Sequence, residues 1–169
     1  MVNADLEKLA ASIELLILDV DGVLTDGRLY FSAKGDETKA FHVRDGYGIR
    51  QLQAAGVQVA IISGRQSAAV TRRMDELGVK HVCQGCSDKF STLQGLLKEL
   101  GLGSAVCAFM GDDIPDLEAM QTVALPLCVA DAHPQLLACA KWRSQKSGGN
   151  GAVREACDLI REARGSYRQ

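Results

Sequence analysis

Short apolar runs that alternate with longer amphipathic segments constrain the fold of this chain more than any other feature of its sequence. The runs at 15–18, 57–62 and 105–110 are short and mostly apolar, the first two are rich in branched residues, and they end at glycine, serine or acidic residues. Such runs are typical of strands that are covered on both faces, as in parallel sheets. Because segments of helical periodicity separate them, the pattern predicts βαβ units and an α/β fold with a doubly wound parallel sheet.

A stretch of about twenty residues after the first run has a different pattern. Two apolar-aromatic segments, Arg28–Phe31 and Thr38–Val43, are separated by Ser-Ala-Lys-Gly-Asp-Glu, which is a hairpin signal. We therefore predict a small protruding β-ribbon over residues 27–44. The chain shows no internal repeat or linker, so we predict a single domain over residues 1–169, with residues 145–169 as a C-terminal tail and helix.

Capping signals define the remaining elements. Asp45 is predicted to cap a helix that stops at Gly56, and His133-Pro134 is predicted to begin another. Further helices are predicted over Ser67–Leu77, Asp88–Leu100, 115–120 and 150–164, and further strands over Val79–Val82 and Leu125–Val129.

Composition and charge exclude several classes of partner. The formal charge of −2, from 19 basic and 21 acidic residues, provides no long-range attraction to a polyanion, so no nucleic acid partner is expected. Asp19 interrupts the first apolar run, which is too short for a membrane helix, and acidic residues precede it. We expect a cytoplasmic protein without a membrane partner and with reduced cysteines. The lone Cys83-Gln84-Gly85-Cys86 motif leaves zinc or redox use as a minor alternative.

Polar residues follow three of the predicted buried strands. Asp19 and Asp21 follow the first run, Ser63-Gly64-Arg65 follows the second, and Asp112-Asp113 follows the third. In parallel sheets ligands bind beyond the carboxyl ends of the strands. The sequence therefore predicts that these three groups converge on one edge of the sheet and form a site there.

Several carboxylates in one cleft repel one another unless a cation lies between them. Oxygen ligands without nearby histidine or cysteine suit Mg²⁺, which takes part of its coordination from phosphate oxygens, so a phosphorylated substrate is expected. Of two acids spaced by one residue, Asp19 can attack phosphorus while Asp21 protonates the leaving oxygen and later activates water. Ser63 with Gly64, and Lys89 at the start of a helix, could neutralise the phosphoryl oxygens.

Each of these residues also has a purely structural interpretation. Asp112, Asp113 or Asp116 taken singly would most often cap a helix, and Ser63-Gly64 would form a turn. Lys89 alone would be a solvated lysine, and Thr25 with Asp26 could simply shape the turn into the ribbon. The complete set is harder to explain in this way, because the groups recur at successive strand ends in the order that phosphoryl transfer requires.

Four motifs in this order resemble those of the haloacid dehalogenase superfamily. Asp19-Val20-Asp21-Gly22-Val23-Leu24-Thr25 is similar to its first motif, Ser63 to its second, Lys89 to its third, and Gly111-Asp112-Asp113-Ile114-Pro115-Asp116 to its fourth. The resemblance covers the whole chain and implies a Rossmann-like fold of the superfamily type.

The resemblance also implies roles for the motif residues. Asp19 would be the nucleophile and Asp21 the general acid/base, and Mg²⁺ would be held by the Asp19 side chain, the Asp21 main-chain carbonyl and Asp112. The remaining residues would support the site or contact the phosphoryl group: Asp113 and Asp116 in the first role, Ser63 and Lys89 in the second. The predicted substrate-binding residues are Asp21, Thr25, Gly64, Arg65 and Lys89.

Further segments resemble a subgroup of these phosphatases that lacks a cap domain and acts on an eight-carbon sugar-acid phosphate used for bacterial lipopolysaccharide. They are residues 21–27, 41–48, 63–67, 84–89 and 148–155. In that subgroup the resemblance implies a homotetramer in which the ribbons form a central barrel and a neighbour covers each site. Asn150 stands where relatives often carry arginine, so a substrate contact at this position is in doubt.

Several alternatives stay open at this point. The substrate carboxylate needs donors, for which Arg65 is the first choice, while Arg72 and Arg73 are equally suited to a solvated helix face, and Lys146 or Arg154 could reach a neighbouring site. The sugar could instead be a nine-carbon sialic-acid-type 9-phosphate. A monomer with an open site would suit phosphoproteins, and a non-catalytic phosphate-responsive regulatory domain is the alternative from another class.

Overall fold

A six-stranded parallel sheet forms the centre of the molecule. A computed structural model describes residues 4–167, with side chains described through residue 165. The sheet has the strand order β5-β4-β1-β6-β7-β8, and a separate antiparallel pair, β2-β3, forms the ribbon. The strands are β1 Leu15–Leu18, β2 Tyr30–Phe31, β3 Glu37–Thr38, β4 Gln58–Ile62, β5 His81–Cys83, β6 Cys107–Gly111, β7 Leu125–Cys128 and β8 Trp142–Arg143.

Helices flank this sheet in two contiguous groups. Helix α7 packs against both α1 and α2, whereas α5 packs against α4 and α6. The helices are α1 Ala4–Ala11, α2 Val43–Ala54, α3 Ala68–Leu77, α4 Lys89–Leu100, α5 Ile114–Thr122, α6 Pro134–Cys139 and α7 Ala152–Tyr167, with a 3₁₀ turn at Ser104–Val106. The doubly wound α/β fold predicted from the sequence is confirmed.

The central strand β1 is entirely buried, because β4 and β6 pair with it on either side. Leu15 lies level with Gln58 and Cys107, and Leu18 lies level with Ile61 and Met110. This register brings the carboxyl ends of β1, β4 and β6 to one edge of the sheet. The residues that follow these strands are therefore neighbours, as the sequence predicted.

The predicted cap at Asp45 is wrong. Helix α2 begins at Val43, and His42 is its N-cap, with the ring Nδ1 accepting from the N–H of Arg44 at 3.1 Å. Asp45 lies in the first turn, where it is buried and accepts from the N–H of Arg154 at 2.8 Å. An acidic residue near the start of a helix suggests a local N-cap. Here its carboxylate instead accepts a hydrogen bond from the start of α7, more than 100 residues away in the sequence.

Other boundaries differ at the ends of elements. The paired strands of the ribbon are only two residues long, Tyr30–Phe31 and Glu37–Thr38, and its second arm ends where α2 begins. The helix α1 and the edge strand β8 were not predicted. The division into one domain, a ribbon over 27–44 and a tail over 145–169 stays a prediction, and its residues 1–3 and 168–169 lie outside the described part of the chain. Over residues 4–167, no helix combines the length and apolar character needed to span a membrane.

Candidate active site

An open pocket of about 360 Å³ lies at the shared edge of β1, β4 and β6. Its lining includes residues from all three predicted groups and from the start of α4 and α5. The lining residues are Asp19, Asp21, Gly27, Ser63, Gly64, Arg65, Lys89, Asp112, Asp113, Pro115 and Asp116. The structure thus brings the sequence-predicted site residues together with the exception of Thr25.

Backbone hydrogen bonds between neighbouring strands and loops fix the positions of the first two groups. The N–H of Asp19 donates to the carbonyl of Met110 at 3.1 Å, which continues the β1–β6 pairing by one residue. The N–H of Ser63 donates to the carbonyl of Cys83 at 2.9 Å, and its own carbonyl accepts from Cys86 at 3.0 Å. Both side chains therefore extend from regular strand ends, and both are nearly inaccessible to solvent.

Lys89 joins two carboxylates at the bottom of the pocket. Its Nζ lies 2.8 Å from Asp19 Oδ1 and 2.6 Å from Asp116 Oδ1, and all three side chains are at most 7% exposed. Burial by itself lowers the pKa of Lys89, but the two carboxylates raise it by more, so the net pKa is raised and the ammonium stays charged. The solvated lysine considered above is therefore not what the structure contains.

Asp116 supports this arrangement. Besides Lys89, its carboxylate accepts from the N–H of Asp112 at 3.1 Å and of Asp113 at 3.5 Å, which completes a capping box with Asp113 at the start of α5. Asp113 accepts from the N–H of Ile114 at 2.8 Å. With three donors, Asp116 has little capacity left for a further ligand, which leaves Asp19 and Asp112 to share one.

The carboxylates of Asp19, Asp112 and Asp116 have oxygens within 4.8 Å of one another. Burial, and then the neighbouring carboxylates, raise the pKa of Asp112 to about 8. Burial, and then Asp116, raise the pKa of Asp19 to about 6. Two buried acids and the half-buried Asp112 against one lysine leave an excess of negative charge, and an all-oxygen donor set of this kind fits a hard divalent cation such as Mg²⁺.

Gly22 makes room for Asp112. Gly22 has a φ of +91°, and a Cβ at this position would overlap the Asp112 carboxylate. The turn around it is held by Thr25, whose Oγ1 accepts from the N–H groups of Gly22 at 3.3 Å and Gly27 at 3.2 Å and donates to the carbonyl of Val20 at 3.4 Å. The described bonds of this hydroxyl thus support the interpretation of Thr25 as a turn residue, and Thr25 itself does not line the pocket.

Asp21 is held by an ion network that the sequence did not predict. Lys39 contacts Asp21 Oδ1 and lies 3.5 Å from Glu37 Oε1, while Arg65 contacts Glu37 Oε2 and lies 3.8 Å from Asp21 Oδ2. Glu37 and Lys39 belong to the second arm of the ribbon. No local pattern could have found them, because the way the ribbon folds back over the site depends on tertiary contacts.

Three of the other candidate cations, Arg72, Arg73 and Arg154, form ion pairs within their own helices. Arg72 and Arg73 pair with Glu76 at 3.4 and 3.3 Å; Arg72 is exposed, as expected of a solvated helix face, whereas the Arg73 side chain is only 23% exposed. Arg154 pairs with Asp158 at 2.6 Å and lies over the ring of Tyr47 at 5.0 Å. A contact of Lys146 or Arg154 with a neighbouring site stays a prediction.

The raised pKa values predict a pH-dependent affinity for the metal. Because metal binding requires ionised carboxylates, Mg²⁺ must displace a proton from Asp112, whose pKa is about 8, and near pH 6 part of one from Asp19 as well. Between pH 6 and pH 8 the dissociation constant for Mg²⁺ is expected to fall by up to about 100-fold. Calorimetric titration in two buffers of different ionisation enthalpy measures both the affinity and the protons released. Equal affinity at both pH values without proton release would contradict the shift, and Asp112→Asn provides the control that cannot release this proton.

A buried lysine and an acidic cluster beyond the strand ends of a doubly wound sheet are typical of proteins that act on phosphoryl groups with a divalent cation. The sequence model of the haloacid dehalogenase-like hydrolase family matches residues 82–155, which include Lys89, Asp112 and Asp116. The 3-deoxy-D-manno-octulosonate 8-phosphate phosphatase of Escherichia coli K12 is 47% identical over 164 residues, which cover 97% of this chain and 87% of that protein.

Solved structures agree with this relationship. The phosphatase of the same name from Moraxella catarrhalis, in complex with magnesium ion, phosphate ion and KDO, has a TM-score of 0.94 at 43% identity, covering 97% of this chain and 94% of that one. The Yersinia pestis enzyme has a TM-score of 0.95 at 46% identity, covering 99% and 90%. This chain belongs to the haloacid dehalogenase-like hydrolases, in the family of the 3-deoxy-D-manno-octulosonate 8-phosphate phosphatases. It is accordingly a phosphoric monoester hydrolase.

Proposed function

We propose that this chain is an Mg²⁺-dependent phosphatase that releases phosphate from 3-deoxy-D-manno-octulosonate 8-phosphate, a step in making the sugar acid of bacterial lipopolysaccharide. The observation that carries the proposal is the cluster of Asp19, Asp112 and Asp116 around Lys89, in a chain 47% identical to an enzyme of this name. Asp19 and Asp112, with the main-chain carbonyl of Asp21, would hold Mg²⁺. The ion would neutralise charge on the phosphoryl oxygens.

The proposed reaction has two steps. Asp19 attacks phosphorus to form an aspartyl-phosphate, the bond between phosphorus and the sugar oxygen breaks, and Asp21 donates a proton to the leaving oxygen. Asp21 then takes a proton from water, which attacks the same phosphorus and releases phosphate and the Asp19 carboxylate. Lys89 and Ser63 with Gly64 would bind phosphoryl oxygens, and the raised pKa of Lys89 supports a charged ammonium in this role.

Asp21→Asn should slow both steps, because one carboxyl serves first as acid and then as base. We expect kcat to fall by about 10²- to 10⁴-fold, with a smaller change in KM. Steady-state phosphate release and a rapid-quench measurement of the phosphoenzyme test each step separately. An unchanged rate in either step would remove Asp21 from that role.

We propose that Arg65 binds the carboxylate of the sugar acid. In the free protein the Arg65 guanidinium contacts the carboxylate of Glu37, and the Arg65 side chain is partly exposed. The carboxylate of the substrate would take the place of the Glu37 carboxylate as its partner. Arg65→Met should raise KM for the sugar-acid phosphate by about 10- to 100-fold and leave KM for a neutral sugar phosphate within about twofold. Equal effects on both substrates would contradict the assignment, and Arg72→Met on the exposed face of α3 is the matched control.

A phosphate-release assay with Mg²⁺ tests the proposed substrate. It compares 3-deoxy-D-manno-octulosonate 8-phosphate with a nine-carbon sialic-acid-type 9-phosphate and with a phosphopeptide. The proposal requires kcat/KM to be highest for the eight-carbon substrate, by at least about tenfold. A preference for the nine-carbon sugar acid would move the function to the alternative substrate, and a preference for the phosphopeptide would support an open monomeric site.

We propose further that the protein is a cytoplasmic homotetramer in which a neighbour covers each site. The ribbon exposes Leu29, Tyr30 and Phe31, of which Phe31 is 60% exposed, and Val43 and Tyr47 are exposed apolar side chains in the first turns of α2. A two-stranded ribbon is marginally stable alone, so association would bury these side chains and stabilise it. Sedimentation equilibrium tests the assembly, and a monomer at micromolar concentration would contradict it.

A further inference from the structure

Lys39 has the most buried charged side chain of the ribbon, whose other residues are mostly exposed to solvent. Its side chain is 2% exposed, whereas the neighbouring ribbon residues Tyr30, Phe31 and Thr38 are exposed. Its ammonium contacts Asp21 and lies 3.5 Å from Glu37. Lys39 does not line the pocket itself.

A buried ammonium is costly unless carboxylates compensate it. Glu37 is a neighbour on the same arm, but Asp21 belongs to the loop after β1, so the burial of Lys39 depends on a partner from the active site. Conversely, the two oxygens of Asp21 lie near two cations from different elements: Lys39 at Oδ1 and Arg65 at Oδ2. Arg65 is 46% exposed and contacts Glu37 as well, so Lys39 is the fixed member of this pair.

We infer that Lys39 is a positioning residue that holds the carboxyl of Asp21 in the orientation needed for proton transfer. The ribbon thereby becomes part of the catalytic arrangement without touching the phosphoryl group. The inference rests on the proposed role of Asp21 as general acid and base. Charge on Lys39 and its distance from Asp21 matter in this role, whereas its packing in the ribbon alone would not affect proton transfer.

The first test removes the charge and keeps the shape. Lys39→Met should lower kcat for an alkyl phosphate by about 10- to 100-fold and change KM by less than about threefold, and Lys39→Arg should recover at least part of the loss. Lys34→Met, at the exposed tip of the same ribbon, is the matched control and should leave kcat unchanged. If Lys39→Met does not fold, Lys39→Gln, which keeps a hydrogen-bond donor, takes its place. A kcat within twofold of the wild type, or a loss confined to KM, would overturn the inference.

The second test distinguishes positioning of Asp21 from support of the ribbon. In an Asp21→Asn background, Lys39→Met should change kcat by less than about threefold, because the group through which it acts is already lost. A full additional loss in the double variant would overturn the inference. With an aryl phosphate, whose leaving group needs no proton, the effect of Lys39→Met on formation of the phosphoenzyme should shrink to about threefold or less. An equal loss for both leaving groups would mean that Lys39 acts on something other than proton transfer.

The substrate proposal and this inference fail in distinguishable ways. If the wild-type protein does not hydrolyse 3-deoxy-D-manno-octulosonate 8-phosphate but hydrolyses another alkyl phosphate, the proposed substrate is wrong. The same variants then test Lys39 on that alkyl phosphate.

Discussion

Replacing Asp19 with asparagine is expected to lower kcat by about 10⁴-fold or more while the fold persists. The amide cannot attack phosphorus, and Asp19 is the pocket carboxylate that directly continues strand β1, whereas Asp21 contacts Lys39. Asp112 and Asp116 follow β6, and Asp116 is bound to Lys89 at 2.6 Å and to two backbone N–H groups. Phosphate release with Mg²⁺ measures the loss, and trapping of a phosphoenzyme in the wild type but not in Asp19→Asn tests the covalent step.

The expected persistence of the fold has a physical reason. Burial, and then Asp116, raise the pKa of Asp19 to about 6, so at pH 7.5 the carboxyl is ionised in the metal-free fold at a cost in folding stability relative to the unfolded chain. A group whose pKa is raised by folding contributes to folding stability at pH values below its pKa in the unfolded chain, and this contribution is lost as the pH rises through its pKa in the folded protein. A neutral amide at position 19 therefore removes a cost at pH 7.5. The melting temperature of metal-free Asp19→Asn should therefore be no lower than that of the wild type. Asp75→Asn, on the exposed surface of α3, is the control, and full activity of Asp19→Asn would remove Asp19 from the role of nucleophile.

Removal of divalent ions should abolish turnover completely and reversibly. Asp19 and Asp112 lie close enough to share one ion, and without it their charges oppose the approach of a phosphate dianion. Treatment with EDTA should reduce phosphate release to background, and excess Mg²⁺ should restore it.

The same experiment has a readout that does not depend on activity. Mg²⁺ should raise the melting temperature of the EDTA-treated protein at pH 8 and should have a much smaller effect on Asp112→Asn, which lacks one of the two carboxylates. Hydrolysis that continues in EDTA, or equal stabilisation of both proteins, would contradict the site as described.

The acidic edge of the sheet could be predicted because its parts are local. Asp19 and Asp21 directly follow an apolar run, and Asp112 follows another, so once the runs are strands of a parallel sheet their ends must meet. The fold class predicted in this way is confirmed by the structure, and the hydrolase family that the motifs resemble is confirmed by the relatives. The catalytic roles of the individual residues stay predictions.

Other features could not be predicted because they join distant parts of the chain. Asp45 resembles a local cap, but its carboxylate accepts from Arg154 on α7. Lys39 lies in the ribbon, but its ammonium contacts Asp21 in the loop after β1. In each case the side chain could form its hydrogen bond or ion pair with several different partners. Which partner it contacts depends on which part of the chain packs beside it.

The amino-acid sequence by itself determined the parallel sheet, the order of its strand ends and the identity of the acids placed there, because hydrophobic periodicity and turn chemistry act between near neighbours. Only the tertiary structure decided that Lys39 and Glu37 reach Asp21 and Arg65, and that burial raises the pKa of Asp112 to about 8. Charge interactions and desolvation depend on distances through space, and those distances exist only after the ribbon and the strand-end loops have packed together.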